Sequence, residues 1–356
     1  MSLPMTDIQY QTALAHLGQG RHLEGAQLLG QAAQGGHVPS MSLLGAQLLA
    51  GRGVAPDPVG GLRLIAAAAE RGGGFACALA AALHASGLKG RSDWPRALEL
   101  IQRSAEAGFV PAQAQLRLLA GRGGDDWAAL RRAVDIKAWR RPPPRKVLSH
   151  DPRLWIFERM ITPEVCDWII ARARDRLVPA KVFDQVSGGP TTNQDRLNSA
   201  AEMGLTDVDL VLLAVRERIA AAVGQPLVHM EGPQVLHYEV GERFTAHYDY
   251  LDPAHEGSVA DIAMRGQRLA TCLVYLNDDL EGGETDFPEL GLRHRGGRGD
   301  ALLFFSLDTS GRPDPRTLHA GLSPTSGEKW VLSQWVRDKV PPGAGDPRMV
   351  AALEGR

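Results

Sequence analysis

The stretch "FTAHYDYLD" at residues 244–252 decides how the second half of this chain is interpreted. Its apolar and aromatic residues predict a β-strand, in which side chains alternate between two faces. His247 and Asp249 therefore point to one face, whereas Tyr248 points to the other. An imidazole nitrogen and a carboxylate oxygen on a rigid strand end are suitable ligands for a metal ion. A hydrogen-bonded turn histidine and a structural site for another divalent ion remain as alternatives.

A metal bound there needs a further ligand, and the best candidate is His319, which lies beside another predicted strand. Two histidines and one carboxylate on one face of an octahedron leave three positions open, as in non-heme Fe(II) oxygenases. Lys329 opens an apolar strand further on, and a buried ammonium group needs an anion as partner. A dicarboxylate cosubstrate would supply that anion. Trp335 shares the strand face of Lys329 and is expected to wall the pocket.

Short apolar runs cut by Gly, Pro and Asp surround these residues and predict closely spaced strands. Two helices precede the runs, at 162–177 with a threonine N-cap and a proline in the first turn, and at 206–224. Strands at close spacing with covering helices predict a double-stranded β-helix, or jelly roll. The runs are "PQVLHYEV", "RLATCLVYLN", "GETDFPE", "DALLFFSL" and "WVLSQWVRD".

The first third of the chain has a different composition, rich in Ala, Leu and Gly, and contains internal sequence repeats. A period of 36 residues predicts an α-helical solenoid, in which each unit buries its apolar face against its neighbours. The glycines fall where helices are expected to end. The positions that recur are Gly36, Gly72 and Gly108; Gly51, Gly87 and Gly123; Leu28, Leu64 and Leu100; Ala33, Ala69 and Ala105; and Asp57 with Asp93.

The predicted fold is therefore multidomain, α followed by α+β. A helical repeat domain of about three units is expected at 1–136, and a jelly-roll domain with covering helices at 153–340. The residues between them, 137–152, are rich in proline and basic side chains and predict an extended, solvated linker. Residues 341–356 form a C-terminal tail.

Composition narrows the function classes. The formal net charge of −2 gives no electrostatic reason to expect nucleic acid or an anionic membrane as partner. No apolar run is long enough to span a bilayer, and the first residues do not resemble a signal peptide. Cys77, Cys166 and Cys272 lie far apart in apolar surroundings, which predicts buried free thiols. The expected location is the cytoplasm.

Three segments, "QVLHYEVGERFTAHYDY", "RLATCLVYLNDDLEGGETDFPE" and "TLHAGLSPTSGEKWVLSQWVRD", resemble the catalytic domain of the prolyl 4-hydroxylase class of Fe(II)/2-oxoglutarate dioxygenases. The resemblance spans about 150–338. It implies that His247, Asp249 and His319 are the catalytic iron ligands. It also implies a cosubstrate pocket, in which Lys329 and Tyr238 bind the distal carboxylate of 2-oxoglutarate. The residues that match this pocket are Lys329, Tyr238 and Trp335, together with Thr271 and Tyr275, which share a strand face and of which either one is the expected contact.

The activity that the resemblance implies is hydroxylation of an unactivated carbon by O2, coupled to decarboxylation of 2-oxoglutarate to succinate. The expected substrate is a prolyl residue of a protein or peptide, hydroxylated at the 4-position, with ascorbate as reductant. Residues 180–203 are polar and Gly-rich, and predict a mobile loop that closes over substrate. Arg196 and Asn198 in this segment are candidate substrate contacts. Phe244 stands where some relatives carry a tyrosine.

The repeats, over about 10–135, resemble Sel-type tetratricopeptide-like repeats, which usually present a surface to another protein. We expect them to recruit the protein substrate. Two alternatives remain. The enzyme hydroxylates a free amino acid or small metabolite while the repeats mediate assembly, or the chain is a non-catalytic scaffold whose barrel binds a partner.

Overall fold

The computed structural model describes residues 4–184, 189–191, 195–343 and 345–356. The chain divides into two compact units. The first, mostly helical, unit comprises Met1–Ile136, Gly204–Ala214 and Gly343–Arg356; the second, strand-rich, unit comprises Lys137–Met203 and Val215–Pro342. The residues predicted as a separate tail thus belong, from Gly343 on, to the helical unit.

The described helices are too short or too polar to cross a bilayer. Their bounds are α1 Met5–Gly18, α2 His22–Gln34, α3 Val38–Ala50, α4 Pro58–Glu70, α5 Gly74–Ala85, α6 Trp94–Glu106, α7 Val110–Ala120, α8 Trp127–Ala133, α9 Ile136–Trp139, α10 Pro163–Ala173, α11 Leu210–Val223, α12 Glu256–Arg265 and α13 Pro347–Leu353.

The described strands belong to the second unit. Their bounds are β1 Arg145–Ser149, β2 Leu154–Phe157, β3 Val178–Pro179, β4 Val182–Asp184, β5 Gly189–Thr191, β6 Ser199–Glu202, β7 Gln234–Tyr238, β8 Phe244–His247, β9 Arg268–Tyr275, β10 Glu281–Gly282, β11 Thr285–Phe287, β12 Leu292–His294, β13 Ala301–Phe305, β14 His319–Gly321, β15 Pro324–Ser326 and β16 Lys329–Arg337.

The helical unit is built from three successive helix pairs, α2 with α3, α4 with α5 and α6 with α7. Both helices of a pair recur at the predicted period of 36 residues, since the first helices begin at residues 22, 58 and 94 and the second at 38, 74 and 110. Gly36, Gly72 and Gly108 end the first helices with φ of +81°, +81° and +80°. Their left-handed conformation confirms the predicted helix ends.

The ends of the second helices follow the period less closely. Gly51 ends α3 in the left-handed conformation with φ +63°, but Gly121, not the predicted Gly123, does so for α7. At the N-termini of the first helices, Asp57 and Asp93 cap α4 and α6 by accepting hydrogen bonds from backbone N–H groups, at 2.9 and 3.3 Å. These caps satisfy donors that the first helical turn leaves free.

Small residues set the spacing of the helices in this unit. A Cβ atom added to Gly61 of α4 would lie 2.7 Å from the carbonyl oxygen of Gly45 in α3, so these helices touch at their backbones. Leu29, Ile65 and Ile101 occupy one repeated position and are all fully buried. The apolar stripe of each pair is therefore covered by its neighbours, as a solenoid requires.

The second unit contains two antiparallel sheets packed on one core. The larger sheet has the strand order β1-β2-β13-β9-β16-β7-β6-β3, and the smaller has β12-β11-β14-β8. Tyr238, Phe304 and Val331 of the larger sheet share a buried cluster with Phe287 of the smaller one. These two layers are those that the predicted jelly roll requires.

Two segments of this unit differ from their predictions. The second half of the linker at 137–152 is β1, which pairs with β2 at the edge of the larger sheet. The segment 180–203, predicted as a loop, ends in β6, which pairs with β7. Ala200 and Ala201 are buried because this strand joins the core. Residues 185–188 and 192–194 of the segment lie outside the described residues.

Candidate metal and cosubstrate site

The three predicted metal ligands come together where the smaller sheet ends. His247 is the last residue of β8 and pairs across the sheet with His319, the first residue of β14. Asp249 follows two residues after His247. The Nε2 atoms of His247 and His319 lie 3.8 and 3.6 Å from the carboxylate oxygens of Asp249. All three ligand atoms lie within 4.8 Å of one another, so this group of side chains can hold one metal ion.

Both imidazoles are oriented by the backbone. Nδ1 of His247 lies 2.8 Å from the carbonyl oxygen of Thr245, and Nδ1 of His319 lies 3.1 Å from that of Thr317. A carbonyl oxygen only accepts, so each Nδ1 carries the proton and donates it. The Nε2 lone pairs are then free for a metal ion, and the outer hydrogen bonds fix the ring planes.

The charge state of the cluster also suits a cation. Burial, and then the neighbouring His319, lower the pKa of His247 to about 3, so its imidazole stays neutral. Burial alone would raise the pKa of Asp249, but the two imidazoles, Arg268 and a hydrogen bond from Thr271 outweigh it and lower this pKa. The site therefore presents the neutral imidazole of His247 and the ionised carboxylate of Asp249 to a cation at neutral pH.

A cavity of about 40 Å³ is lined by all three of these side chains and by Lys329. By the space that one water occupies, it has room for roughly three molecules. The lysine is 5% exposed, and its Nζ lies 5.0 Å from the ring centre of Tyr238, its cross-strand neighbour. In the described part of the chain, no carboxylate forms an ion pair with it. Burial lowers the pKa of Lys329 to about 8, against the opposing effect of Glu284.

Trp335 lines the same cavity, as predicted. Its indole Nε1 is buried and has no hydrogen-bond partner among the described residues. The guanidinium of Arg268 lies 3.8 Å from the ring centre, pairs with Glu231 at 2.8 Å and donates to the carbonyl oxygen of Asp249 at 3.3 Å. Arg268 thus contacts both the pocket wall and a metal ligand. Sequence reasoning missed it, since an arginine at a strand start gives no local signal.

Thr271 and Tyr275 take positions other than those predicted. Thr271 donates to Oδ2 of Asp249 at 2.6 Å, and the hydroxyl of Tyr275 lies 3.1 Å from Oγ1 of Thr285. The residue of β9 that lines the cavity is Leu273, between them. Thr285, in the predicted strand run "GETDFPE", lines it too and was not among the predicted site residues. Each hydroxyl found a buried partner, which the sequence could not reveal.

The two candidate substrate contacts are both buried, and they bond to each other. Arg196 lines the cavity, stacks 4.8 Å from the ring centre of Phe244, and donates to Oδ1 of Asn198 at 3.1 Å. Phe244 in turn stacks on His247, with ring centres 3.5 Å apart. Asn198 is 1% exposed and also donates to the carbonyl oxygen of Ser199. It therefore positions Arg196, and only the arginine faces the cavity.

The residues present fit the metal and cosubstrate that the resemblance implies. Two imidazoles and a carboxylate are the ligand set of non-heme Fe(II) sites. At the far end of the cavity, the ammonium of Lys329 and the indole N–H of Trp335 are donors that need an acceptor. Gly321 keeps the passage open, because a Cβ atom there would lie 3.2 Å from the hydroxyl of Tyr238. A small dicarboxylate meets these requirements.

Comparison with known proteins agrees with this geometry. Residues 233–337 match the family model of the 2OG-Fe(II) oxygenase superfamily. Prolyl 4-hydroxylase 1 of Arabidopsis thaliana is 35% identical over 210 residues, which cover 54% of this chain and 72% of that protein. The chain belongs to the prolyl 4-hydroxylase family. It is therefore a 2-oxoglutarate-dependent dioxygenase, as the sequence predicted.

Two solved structures also resemble parts of the chain. The viral collagen prolyl hydroxylase of Paramecium Bursaria Chlorella virus-1, in complex with 2-oxoglutarate, is 25% identical, with a TM-score of 0.40; the match covers 51% of this chain and 94% of that one. The Sel1 repeat protein of Oxalobacter formigenes is 22% identical, with a TM-score of 0.30; this match covers 38% of this chain and 61% of that one.

Proposed function

We propose that this chain is a prolyl 4-hydroxylase that acts on a protein or peptide and converts 2-oxoglutarate to succinate. The observation that carries the proposal is one cavity lined both by the His247–Asp249–His319 cluster and by Lys329, which forms no ion pair with the described carboxylates. Prolyl hydroxylation is the activity in the name of its Arabidopsis relative.

His247, Asp249 and His319 would hold Fe(II), as the carbonyl-fixed imidazoles and the Thr271-bound carboxylate support. Bound there, Fe(II) would supply, with 2-oxoglutarate and O2, the oxidising chemistry that inserts one oxygen atom into an unactivated C–H bond. The protein contributes geometry and partial exclusion of water, because His319 and Asp249 are buried and the side chain of His247 is 21% exposed.

Lys329 would bind the distal carboxylate of 2-oxoglutarate by a charge-assisted hydrogen bond. Tyr238, next to it across the sheet, lies within reach of the same end of the cavity. Trp335 closes the wall with Arg268 stacked behind it. Thr271 and Tyr275 support the pocket from behind, through Asp249 and Thr285.

The dimensions of the cavity support a substrate that inserts one side chain. The cavity of about 40 Å³ is too small to admit a peptide, which would lie across the opening and present a single prolyl ring. Arg196 and Phe244 belong to the wall through which such a ring would pass. The same size also favours the second candidate function, hydroxylation of a free amino acid.

The proposal also covers the role of the helical unit, the reductant and the cellular location. The helix pairs of the first unit would recruit the protein substrate, and ascorbate would reduce iron that becomes oxidised in uncoupled turnover. The three cysteines are free and buried, which supports a cytoplasmic location. Pull-down with the helical unit, turnover with and without ascorbate, and cell fractionation test these points.

The decisive experiment incubates the full chain with Fe(II), 2-oxoglutarate, O2 and a library of proline-containing peptides, with His319→Ala as inactive control. We expect succinate release that depends on peptide, one oxygen added to a prolyl residue by mass spectrometry, and 4-hydroxyproline after hydrolysis. Hydroxylation of free proline but of no peptide would establish the second candidate function. Binding of peptides without any turnover would revive the non-catalytic scaffold.

A further inference from the structure

A second cavity, of about 280 Å³, lies within the helical unit. Its walls are formed by α4, α5, α6 and the end of α13. Ala66, Ala80, Leu100 and Leu353 make one side of it apolar. The volume falls just below the roughly 300–1,000 Å³ typical of pockets for drug-sized ligands, so it suits a smaller molecule.

The polar residues of this cavity are not required by the repeat. One period of 36 residues earlier, helices α3 and α4 carry Leu48, Gly60 and Ala67; at the equivalent positions α5 and α6 carry cationic or titratable side chains, which are His84, Arg96 and Arg103. The core positions of the two pairs remain apolar, since Leu64 and Ala69 become Leu100 and Ala105. Packing of the solenoid therefore does not explain the substitutions.

His84 is buried without satisfying its hydrogen bonds. The residue is 6% exposed, and its Nδ1 has no hydrogen-bond partner in the described part of the chain. The carboxylate of Asp93 lies 3.7 Å away, too far for a hydrogen bond. Burial lowers the pKa of His84 to about 4, so the ring stays neutral. A buried polar atom left in this state costs free energy that a ligand can recover.

Among the described residues, one cation and one anion of this cavity form no ion pair. Lys89 is paired, at 2.7 Å with Glu354 and at 3.5 Å with Asp93. Arg103 donates to the neutral carbonyl oxygen of Ala69 at 2.7 Å and, within the described residues, pairs with no carboxylate. Glu70, the next residue after Ala69, forms no ion pair there either. Both line the cavity, so it offers a guanidinium and a carboxylate, the carboxylate of Glu70 being exposed to solvent.

From these observations we infer that this cavity binds a free α-amino acid with an apolar side chain. The α-carboxylate pairs with Arg103, the α-ammonium pairs with Glu70, and the side chain lies on the alanine and leucine wall. The unpartnered Nδ1 of His84 takes a further hydrogen bond from the ligand or donates one to it. A dicarboxylate or a simple amine would leave one of the two charges without a partner.

Calorimetric titration of the full chain tests this inference. The probes are L-leucine, L-proline and L-phenylalanine, each compared with its N-acetyl and amide derivatives, which lack the ammonium or the carboxylate. At least one free amino acid binds saturably, and each blocked form binds at least about tenfold more weakly, as the loss of a charge-assisted hydrogen bond requires.

Two variants test which charged side chain binds which group of the amino acid. Arg103→Gln weakens binding of the free amino acid at least about tenfold but leaves that of its amide unchanged. Glu70→Gln weakens binding of the free amino acid but not of its N-acetyl form. Arg117→Gln is the matched control, because Arg117 also donates to a backbone carbonyl, that of Gly124, and lies outside the cavity. Saturable binding of none of the amino acids, equal binding of the blocked forms, or unchanged affinity in both variants overturns the inference.

Discussion

Two lysines, one in each unit, are both largely withdrawn from water and differ in their partners. Lys89 of the helical unit is 20% exposed and contacts the carboxylates of Glu354 and Asp93. Lys329 of the strand-rich unit is 5% exposed and, in the described residues, has no carboxylate partner. Burial lowers the pKa of Lys329 to about 8. The two side chains are chemically identical, but Lys89 has carboxylate partners whereas Lys329 has none among the described residues.

This difference distinguishes a lysine that stabilises the fold from a lysine that binds a ligand. An ammonium group that is already paired stabilises the fold modestly and needs nothing more. An unpaired ammonium in a dry cavity costs free energy in the ligand-free protein and recovers it when an anion enters. Lys329 therefore marks a site for an anion, and Lys89 fastens α13 to the helix pairs beside it.

The largest effect is expected at the metal-ligand cluster, which lines the same cavity as Lys329. His247→Ala removes one of three metal ligands and should abolish turnover, as measured by succinate release. Binding of Fe(II), measured by equilibrium dialysis, should fall with it. His255→Ala is the matched control, since His255 is a half-exposed histidine that contacts Asp252 outside the cluster. Full turnover by the His247 variant would show that the metal lies elsewhere.

Lys329→Met should weaken 2-oxoglutarate binding by about ten- to a hundredfold, because a charge-assisted hydrogen bond contributes about 1.5–3 kcal/mol. Calorimetric titration without O2 measures this affinity. Lys89→Met, the matched lysine of the helical unit, should leave it unchanged. Normal 2-oxoglutarate affinity in the Lys329 variant would remove that residue from the cosubstrate site.

The pH dependence of binding sharpens the contrast. Only the protonated lysine pairs with the carboxylate, and its pKa in the ligand-free protein is about 8. Affinity for 2-oxoglutarate should therefore be constant below that pH and fall by up to about tenfold per pH unit above it. Lys329→Arg keeps its charge and should bind with little change across the same range. A decline of equal size in both proteins would assign the titration to another group.

The smallest effects are expected in the stability of the ligand-free protein. Lys329→Met should raise the free energy of unfolding by about 1–2 kcal/mol, because it removes an unpaired buried charge. This penalty is fully present below pH 8 and disappears as the pH rises from about 8 to the ordinary value of 10.5. Lys89→Met should lower the free energy of unfolding by less than about 1 kcal/mol. Urea denaturation of the wild type and the two variants measures these changes in the free energy of unfolding. Changes of the same sign in both variants would contradict the distinction between the two lysines.

Much of the helical unit could be predicted, because its order is local. Each helix pair contacts its neighbours, so a period of 36 residues in the sequence reappears as helix starts at the same interval. The docking of α13 on α4 was not predicted. It depends on tertiary contacts such as that of Lys89 with Glu354, between residues far apart in the chain.

The strand-rich unit was predictable where side chains alternate along one strand. This rule put His247 and Asp249 on one side of the chain, although β8 ends at His247 and Asp249 lies two residues beyond it. The resemblance to the family then assigned the roles of His319 and Lys329. The rule failed where function depends on pairing between strands. Thr271 shares a face with Leu273, yet its hydroxyl bonds to Asp249 and only Leu273 of the two lines the cavity. Strand β6, "SAAE", has no apolar alternation and is ordered by its pairing with β7.

The central claim is that one cavity holds Fe(II) at its histidine end and 2-oxoglutarate between that metal and Lys329. The most direct measurement is the visible spectrum of the full chain, loaded with Fe(II) without O2 and titrated with 2-oxoglutarate. The account predicts a weak metal-to-ligand charge-transfer band that saturates in the wild type, needs more 2-oxoglutarate in Lys329→Met, and is absent in His319→Ala. Bound iron that gives no such band in the wild type would contradict the account.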